Sequence, residues 1–142
     1  MIQDIINGIV AALAGSFPGI KIYDEQVKQG LKEPCFIVRC VNPMNIPLLG
    51  DRALRTHLFS INYQPQSKTD AKAECYNVLD TLYQTLNYIT VAGDLVRGIN
   101  MRGQFVDGMI DFTLSYNVII REVAEPEEPM ETLELSSAVI GG

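Results

Sequence analysis

The stretch that decides the fold of this chain runs from Val106 to Val123 and reads VDGMIDFTLSYNVIIREV. Its Asp-Gly pair at 107–108 is a strong signal for a two-residue hairpin turn. After the turn, apolar residues at the even positions from Ile110 to Ile120 alternate with mostly polar residues at the odd positions. This period of two predicts a β-strand with one buried face. The run from Leu95 to Val106 supplies the first strand of the hairpin.

Two other stretches carry the apolar periodicity of amphipathic helices. In residues 2–14, apolar side chains recur three or four positions apart and predict a helix with one apolar stripe. A second stripe runs from Cys75 to Ile89, and the polar segment before it offers Ser67 and Thr69 as alternative N-caps. Gly8 costs the first helix about 1 kcal/mol relative to alanine, so docking has to stabilise it.

Strand-forming runs also precede the second helix. A short strand is predicted at Ile20 to Tyr23, and longer ones at Cys35 to Val41 and at Ala53 to Tyr63. Two prolines in residues 42–51 are expected to end regular pairing there, which makes that segment a loop. The predicted fold class is α+β: a two-layer, mainly antiparallel sheet of about four to five strands, packed by two amphipathic helices, with an extended acidic C-terminal tail.

The core is expected where the two helix stripes meet the apolar face of the sheet. Its size suits one ordinary domain, and we assign residues 1–123 to a single α+β domain. The side chains expected to be mostly buried are Ile6, Leu13, Phe36, Phe59, Leu79, Leu82, Phe112, Leu114 and Tyr116.

The negative charge of the chain is concentrated in residues 124–142 and the end of the strand before them. The formal net charge is −6, and the six acids from Glu122 onward face no base, whereas residues 1–121 hold 11 acids and 11 bases. Pro126 and Pro129 oppose regular structure, and apolar residues follow them. Residues 124–142 therefore form an acidic, proline-containing tail or arm. Either it docks on a partner through its apolar residues or it only solubilises the protein.

Composition excludes several classes of protein. At 47% hydrophobic and 20% charged residues the chain is typical of a globular domain. No apolar run approaches the roughly 20 residues of a membrane span, and the first residues lack the basic start of a signal peptide. Three cysteines do not suggest a disulfide framework, so we expect a cytosolic protein. A neutral body with an acidic tail also suits nucleic acid poorly, and no sequence-specific binding is expected.

The residues that could take part in catalysis or metal binding do not form a recognisable group in the sequence. His57 is the only histidine and is predicted to be a surface residue of a strand. Cys35 and Cys40 are five positions apart on a strand, so they point to opposite faces and do not share a metal. The glycines of Gly98 to Gly103 lack the features of a phosphate loop and instead suit a bulge or close packing. We therefore expect no catalytic residue, no metal, no cofactor and no enzymatic activity.

Two surfaces are candidates for contacts with partners. The segment Asn42 to Asp51 is unusually apolar for a strand connection, and either folds back onto its own core or projects as a contact surface. Arginines near the strand ends suit such contacts as well. The resulting candidate subunit interface comprises Met44, Ile46, Leu48, Leu49, Arg52, Arg55, Arg97 and Arg102, together with Met130, Leu133 and Leu135 of the tail.

Several short motifs resemble one known family. They are Ile22-Tyr23, Gln29 to Phe36 (QGLKEPCF), Glu74-Cys-Tyr76, Gly93 to Gly98 (GDLVRG), Val106-Asp-Gly108 and Pro129-Met-Glu131. In these stretches, which spread over nearly the whole chain, the sequence resembles the tail terminator proteins of tailed bacteriophages and their prophage relatives. The segment from Gln29 to Phe36 is the most distinctive, and none of the motifs is a catalytic signature.

The resemblance implies structural work in a virion. Tail terminators form a ring, commonly a hexamer, on the head-proximal end of the tail tube, where they stop tube growth and join the tail to the head. Their fold is an α+β sandwich, in agreement with the prediction from periodicity. The implied partners are copies of the chain itself, tail tube and possibly sheath proteins, and head-completion or connector proteins. The implied location is the virion tail, assembled in the cytoplasm of the bacterial host.

Two other functions remain open from the sequence. One is a head–tail connector or tail-completion protein, which would work in the same assembly. The other is a small adaptor or binding module outside phages. An enzyme is the weakest alternative, because no constellation of side chains supports it.

Overall fold

The computed structural model describes residues 1–24, 31–124 and 131–135, and within them the chain forms two α-helices and eight β-strands. In chain order these are α1 (Ile2–Ser16), β1 (Lys21–Tyr23), β2 (Cys35–Cys40), β3 (Met44–Pro47), β4 (Arg52–Gln64), α2 (Ala71–Thr85), β5 (Tyr88–Val91), β6 (Asp94–Val106), β7 (Met109–Ala124) and β8 (Glu131–Leu135). The α+β class with two helices is confirmed. The predicted number of strands was too low.

The strands join in one mixed sheet. Its main order is β1-β2-β4-β7-β6-β5, with β3 also paired to β4 and β8 to β7. The pair β1–β2 is parallel and the other pairs are antiparallel, so the sheet is mainly but not wholly antiparallel. The two long central strands, β4 and β7, pair from Arg52–Arg121 to Tyr63–Ile110. One half of this central pair is flanked by β2 and β6, and the other half by β3 and β8.

Two strands inside the body were missed for physical reasons. The prolines around β3 were expected to prevent pairing, but β3 is an edge strand, where a missing N–H is tolerated. The segment of β5 was assigned to the second helical stripe. In fact α2 ends at Thr85, and Ala92 and Gly93, with φ of 51° and 89°, make a tight turn from β5 into β6.

The third missed strand lies in the acidic tail. The backbone of β8 pairs with Ile120 to Ala124 of β7. The pairing of β6 with β7 ends at Gly98 and Tyr116. The residues of β7 after Tyr116 therefore have a free edge on that side, to which another strand can pair.

A single buried cluster fills the space between the helices and the sheet. The predicted phase of β7 is confirmed, since Phe112, Leu114 and Tyr116 are fully buried. Eight of the nine predicted core residues are buried, and the exception is Leu79, which is half-buried. Leu79 packs directly over Gly103 of β6. A Cβ atom added to Gly103 would lie only 2.4 Å from Cδ1 of Leu79. The close packing expected of this glycine is thus present.

The helix ends differ slightly from the prediction. The first helix continues to Ser16 instead of ending at residue 14. The N-cap of α2 is Asp70 and neither of the two alternatives. Ser67 instead uses its hydroxyl to accept a hydrogen bond of 2.9 Å from the backbone N–H of Asp70, which fixes the approach to the helix.

Candidate subunit interface

The apolar segment between β2 and β4 forms a β-hairpin. Strand β3 pairs with the start of β4, and the N–H of Leu48 donates a 2.9 Å hydrogen bond to the carbonyl of Arg52. The apolar side chains of this hairpin are exposed: Met44 by 49%, Ile46 by 38%, Leu48 by 37% and Leu49 by 90%. We call these four residues the hairpin patch. Exposed apolar side chains gathered at one projecting end of a sheet are typical of a contact surface.

The structure divides the four predicted arginines between two places. Arg52 and Arg55 lie on β4 beside the hairpin patch, whereas Arg97 and Arg102 lie on β6, on the far side of β7. The Nε of Arg55 donates a 3.0 Å hydrogen bond to Oδ1 of Asn45 on β3, which ties the hairpin together. The sequence could not show this division, because it depends on the order of strands in the sheet.

The hairpin end of the sheet carries charges of both signs, because Arg52, Arg55 and Arg121 lie near Asp51 and near Glu131 and Glu134 of β8. Arg52 lies directly opposite Arg121 on β7, and like charges in such cross-strand pairs repel. Asp51 lies 3.8 Å from Arg121 and partly compensates it.

The predicted tail contacts are placed only in part. Leu133 and Leu135 belong to β8, whose backbone pairs with β7. Met130 lies outside the described residues. The backbone of β8 thus pairs with the C-terminal half of β7. The same half of β7 also pairs with the start of β4, next to the β3 hairpin.

A second exposed surface lies on α2 and was not anticipated from the sequence. Tyr76 and Tyr83 are 46% and 40% exposed. The two tyrosine rings pack edge-on against Phe105 and Phe112. We call Tyr76, Asp80 and Tyr83 the α2 patch. The apolar stripe predicted from Cys75 to Ile89 includes Tyr83, but Tyr83 lies seven residues after Tyr76, so both tyrosines lie on the same exposed side of the helix.

His57 is buried instead of exposed, which corrects the prediction. It is 2% exposed, and its Nδ1 lies 3.1 Å from the carbonyl oxygen of Tyr116, to which a protonated Nδ1 donates. Burial lowers the pKa of His57, and the bond to Tyr116 only partly opposes this. The signal was present in the sequence, because His57 shares the parity of Phe59 and Ile61, the buried residues of β4.

His57 also lines a groove of about 500 Å³. The groove lies between the first residues of α1 and the β3 hairpin, and Met44 and Arg55 form part of its wall. Half of its lining is apolar and half is polar, with Gln3, Asn45, Arg55 and His57 as the polar residues, and none of these lining residues is a carboxylate. The lining therefore offers His57 no carboxylate partner of the kind that acid–base chemistry uses.

A carboxylate clamp holds the connection between β4 and α2. Oε2 of Glu74 accepts hydrogen bonds from the hydroxyl of Tyr63 at 2.7 Å and from the N–H of Gln66 at 2.8 Å, and Oε1 accepts one from the N–H of Ser67 at 3.0 Å. Burial works to raise the pKa of Glu74, but the three hydrogen bonds together outweigh it and hold the pKa below its usual value. Glu74 belongs to one of the family motifs, and this clamp gives that motif a structural role.

Groups that could support catalysis or metal binding are not gathered in the described part of the chain. No cluster of three or more His, Cys, Asp or Glu side chains suited to a metal occurs there. The thiols of Cys35, Cys40 and Cys75 are unpaired, and burial raises the pKa of each, which disfavours the reactive thiolate. Neither helix is long and apolar enough to cross a membrane, within the residues described.

The described residues form an α+β domain that carries exposed apolar side chains on its surface. The family model of the phage tail terminator protein matches residues 4–129, which is most of the chain. The protein therefore belongs to the phage tail terminator family, as its motifs indicated. This is a family of structural virion proteins that act in the phage tail, and the protein is not an enzyme. None of the curated proteins compared with the sequence matches it.

Proposed function

We propose that this protein is a tail terminator that assembles into a ring, a hexamer in the usual form of the family, on the head-proximal end of the phage tail tube. In this position it stops tube polymerisation and offers its other side to the head-completion or connector proteins. The family match over residues 4–129 is the observation that carries the proposal. The protein would act in the virion tail after assembly in the cytoplasm of the bacterial host.

The exposed apolar surface supports self-association. Four apolar residues of the hairpin patch remain 37% to 90% exposed in a single copy of the chain. Removing apolar surface from water yields about 25 cal/mol per Å², so burying this patch against another protein is favourable. The neighbouring arginines, Arg52 and Arg55, suit the rim of such a contact. We propose that this end of the sheet makes part of the ring contact.

The tail supplies a further contact in this proposal. In the tail, an acidic linker comes first and the apolar residues Met130, Leu133 and Leu135 follow it. A tail that only solubilised the protein would not need these apolar residues. Strand pairing, as seen between β8 and β7, is the kind of contact by which such a segment adds to an exposed sheet edge. We propose that the tail reinforces the contact with a neighbouring subunit or with the tube.

Growth of tail tubes in the presence of the protein tests the proposed function. Purified tail tube protein from the same phage or prophage is allowed to polymerise with increasing amounts of this protein, and tube lengths are measured by electron microscopy. We expect shorter tubes and density at one end of each tube. An unrelated acidic protein of similar size is the control. Tubes of unchanged length without end density would contradict the proposal.

A further inference from the structure

We propose that strand β8 is exchanged between neighbouring copies in the ring, so that β8 of one copy pairs with the β7 edge of the next. The contact would keep the register seen within the chain, from Ile120 opposite Leu135 to Ala124 opposite Glu131. The inference rests on the proposed function, because it names the partner of the tail as a second copy of this chain. It gives the tail a defined acceptor, the edge of β7 from Ile120 to Ala124.

The acceptor edge is defined by the pairing of β7. On one side, β7 pairs with β4 as far as Arg121. On the other side its pairing with β6 ends at Tyr116, and among the described strands only β8 pairs further along that side. A sheet edge without a partner leaves a row of backbone N–H and C=O groups unpaired and invites pairing with another chain. The structure therefore identifies β8 as the strand that fits this edge, through backbone pairing alone.

The connection between β7 and β8 is longer than a hairpin between paired neighbours needs. Ala124 and Glu131 are direct partners, and the Cα atoms of such partners lie about 5 Å apart. Residues 125–130, with the sequence EPEEPM, join them. The same protein closes the hairpin of β6 and β7 with Asp107-Gly108 alone. A hairpin within one chain thus needs only two residues, whereas the sequence supplies six at this point.

The sequence of this connection favours extension over a tight return. Two of its six residues are prolines and three are glutamates, with no base among them. Proline-rich segments favour extended conformations of about 3.1 Å per residue, and like charges along a linker repel one another and extend it. Six such residues can span roughly 20 Å, which is about four times the separation of paired strands. That reach suits a crossing to an adjacent copy.

Exchange conserves the strand pairing and adds a link between copies. The backbone hydrogen bonds of β8 are the same whether its β7 partner belongs to its own chain or to the next, so exchange of this identical element costs little. Each copy gives one strand and receives one, and repetition of this heterologous contact closes into a ring in which every β7 edge is covered. Arg52, beside the hairpin patch, pairs with Arg121 at the same end of β7. The exchanged strand and the hairpin patch thus belong to one continuous contact.

Disulfide formation between two differently marked chains tests the exchange. One chain carries Arg121→Cys, and a second chain with a longer affinity tag carries Glu134→Cys, at positions that are backbone partners. The two are co-expressed, so that they mix before assembly, and are then oxidised. Because such partners lie within reach of a disulfide, we expect a covalent heterodimer on a non-reducing gel. Pairing within each chain cannot produce it, since neither chain holds both new cysteines. Each variant expressed alone is the control for bonds to the native cysteines.

A shortened connection gives a second, independent readout. Replacing residues 125–130 with Asp-Gly, the turn that the protein uses between β6 and β7, restricts β8 to its own chain. We expect this variant to need roughly tenfold more protein for half-assembly, measured by light scattering and native mass spectrometry, because it loses the exchanged contact. A Gly/Ser linker of the original length keeps the reach and should assemble nearly as the wild type does. Circular dichroism checks that both variants are folded.

The outcomes separate this inference from the proposed function. A wild-type ring without the heterodimer, or an Asp-Gly variant that assembles as well as the wild type, would overturn the exchange and leave the proposed function intact. A wild-type chain that stays monomeric and does not shorten tubes would overturn both.

Discussion

Ile120 of β7 and Leu135 of β8 are backbone partners in the sheet, so a segment of the acidic tail is joined to the central strand pair of the domain. The same stretch of β7 pairs on its other side with the start of β4, beside the hairpin patch. The tail and the hairpin therefore meet at one end of the sheet. This arrangement gives the tail a route to the contacts that we propose for the ring.

Deletion of residues 125–142 is expected to weaken assembly without unfolding the domain. The buried cluster is built from residues 5–120, so the body keeps its own core after the deletion. Thermal unfolding followed by circular dichroism should remain cooperative, while the concentration needed for assembly should rise. A truncated chain that assembles and caps tubes as well as the full chain would show that the tail is only a solvated appendage.

Charged residues in the hairpin patch are expected to block assembly specifically. The double variant Ile46→Asp and Leu48→Asp changes side chains that are 38% and 37% exposed, so the fold should persist. Its circular dichroism should match the wild type, whereas its mass in solution should fall toward that of a monomer. Leu95→Asp is the matched control, since Leu95 is an exposed apolar residue away from both patches. Equal assembly of the hairpin variant and this control would remove the hairpin from the interface.

Substitutions along β7 test the sheet phase and the energetics of the core. Leu114 is fully buried, and Leu114→Ala should lower the free energy of unfolding by about 2–5 kcal/mol because it leaves a cavity. Thr113 points to the other face and is only half-buried, so Thr113→Ala should cost less than about 1 kcal/mol. Urea unfolding of both variants measures the difference. Equal costs at the two positions would contradict the assigned face of β7.

The buried His57 predicts a loss of stability in mild acid. Its pKa in the folded protein lies below the ordinary value of 6.5, so the unfolded chain takes up a proton that the folded chain does not. Stability should therefore fall as the pH drops below 6.5, with a slope of at most about 1.4 kcal/mol per pH unit from this group, until the folded pKa is reached. His57→Gln should flatten this part of the profile, measured by urea unfolding from pH 7.5 to 4.5. A profile that is unchanged by the substitution would mean that His57 is not held in its neutral form.

The long elements of the fold could be predicted from the sequence because their patterns repeat. Helix α1 shows its stripe over four turns, and the hairpin of β6 and β7 combines a strong turn with regular alternation. Strands β3, β5 and β8 have only four or five residues, too few for a pattern to emerge. Their pairing depends on which edge of β4, β6 or β7 is vacant, and that is a property of the folded sheet.

For the candidate interface, the sequence revealed only the apolar composition of one segment and not its structure. The apolar character of Met44 to Leu49 marked the segment as unusual, but its hairpin form arises from pairing with β4. The α2 patch was hidden because tyrosine is as common in cores as on interfaces. The clamp of Glu74 was also hidden, since its partner Tyr63 lies on β4 and its partner Gln66 lies in the connection after that strand.

Whether the protein forms a ring is measured by its mass in solution together with electron microscopy of the same sample. We expect a closed homo-oligomeric ring, with a mass equal to a small whole number of 15.7 kDa chains, which is six chains in the usual form of the family. The ring should also be seen at one end of tail tubes when tube protein is added. A protein that remains a monomer at all concentrations, and that does not bind tube ends, would contradict it.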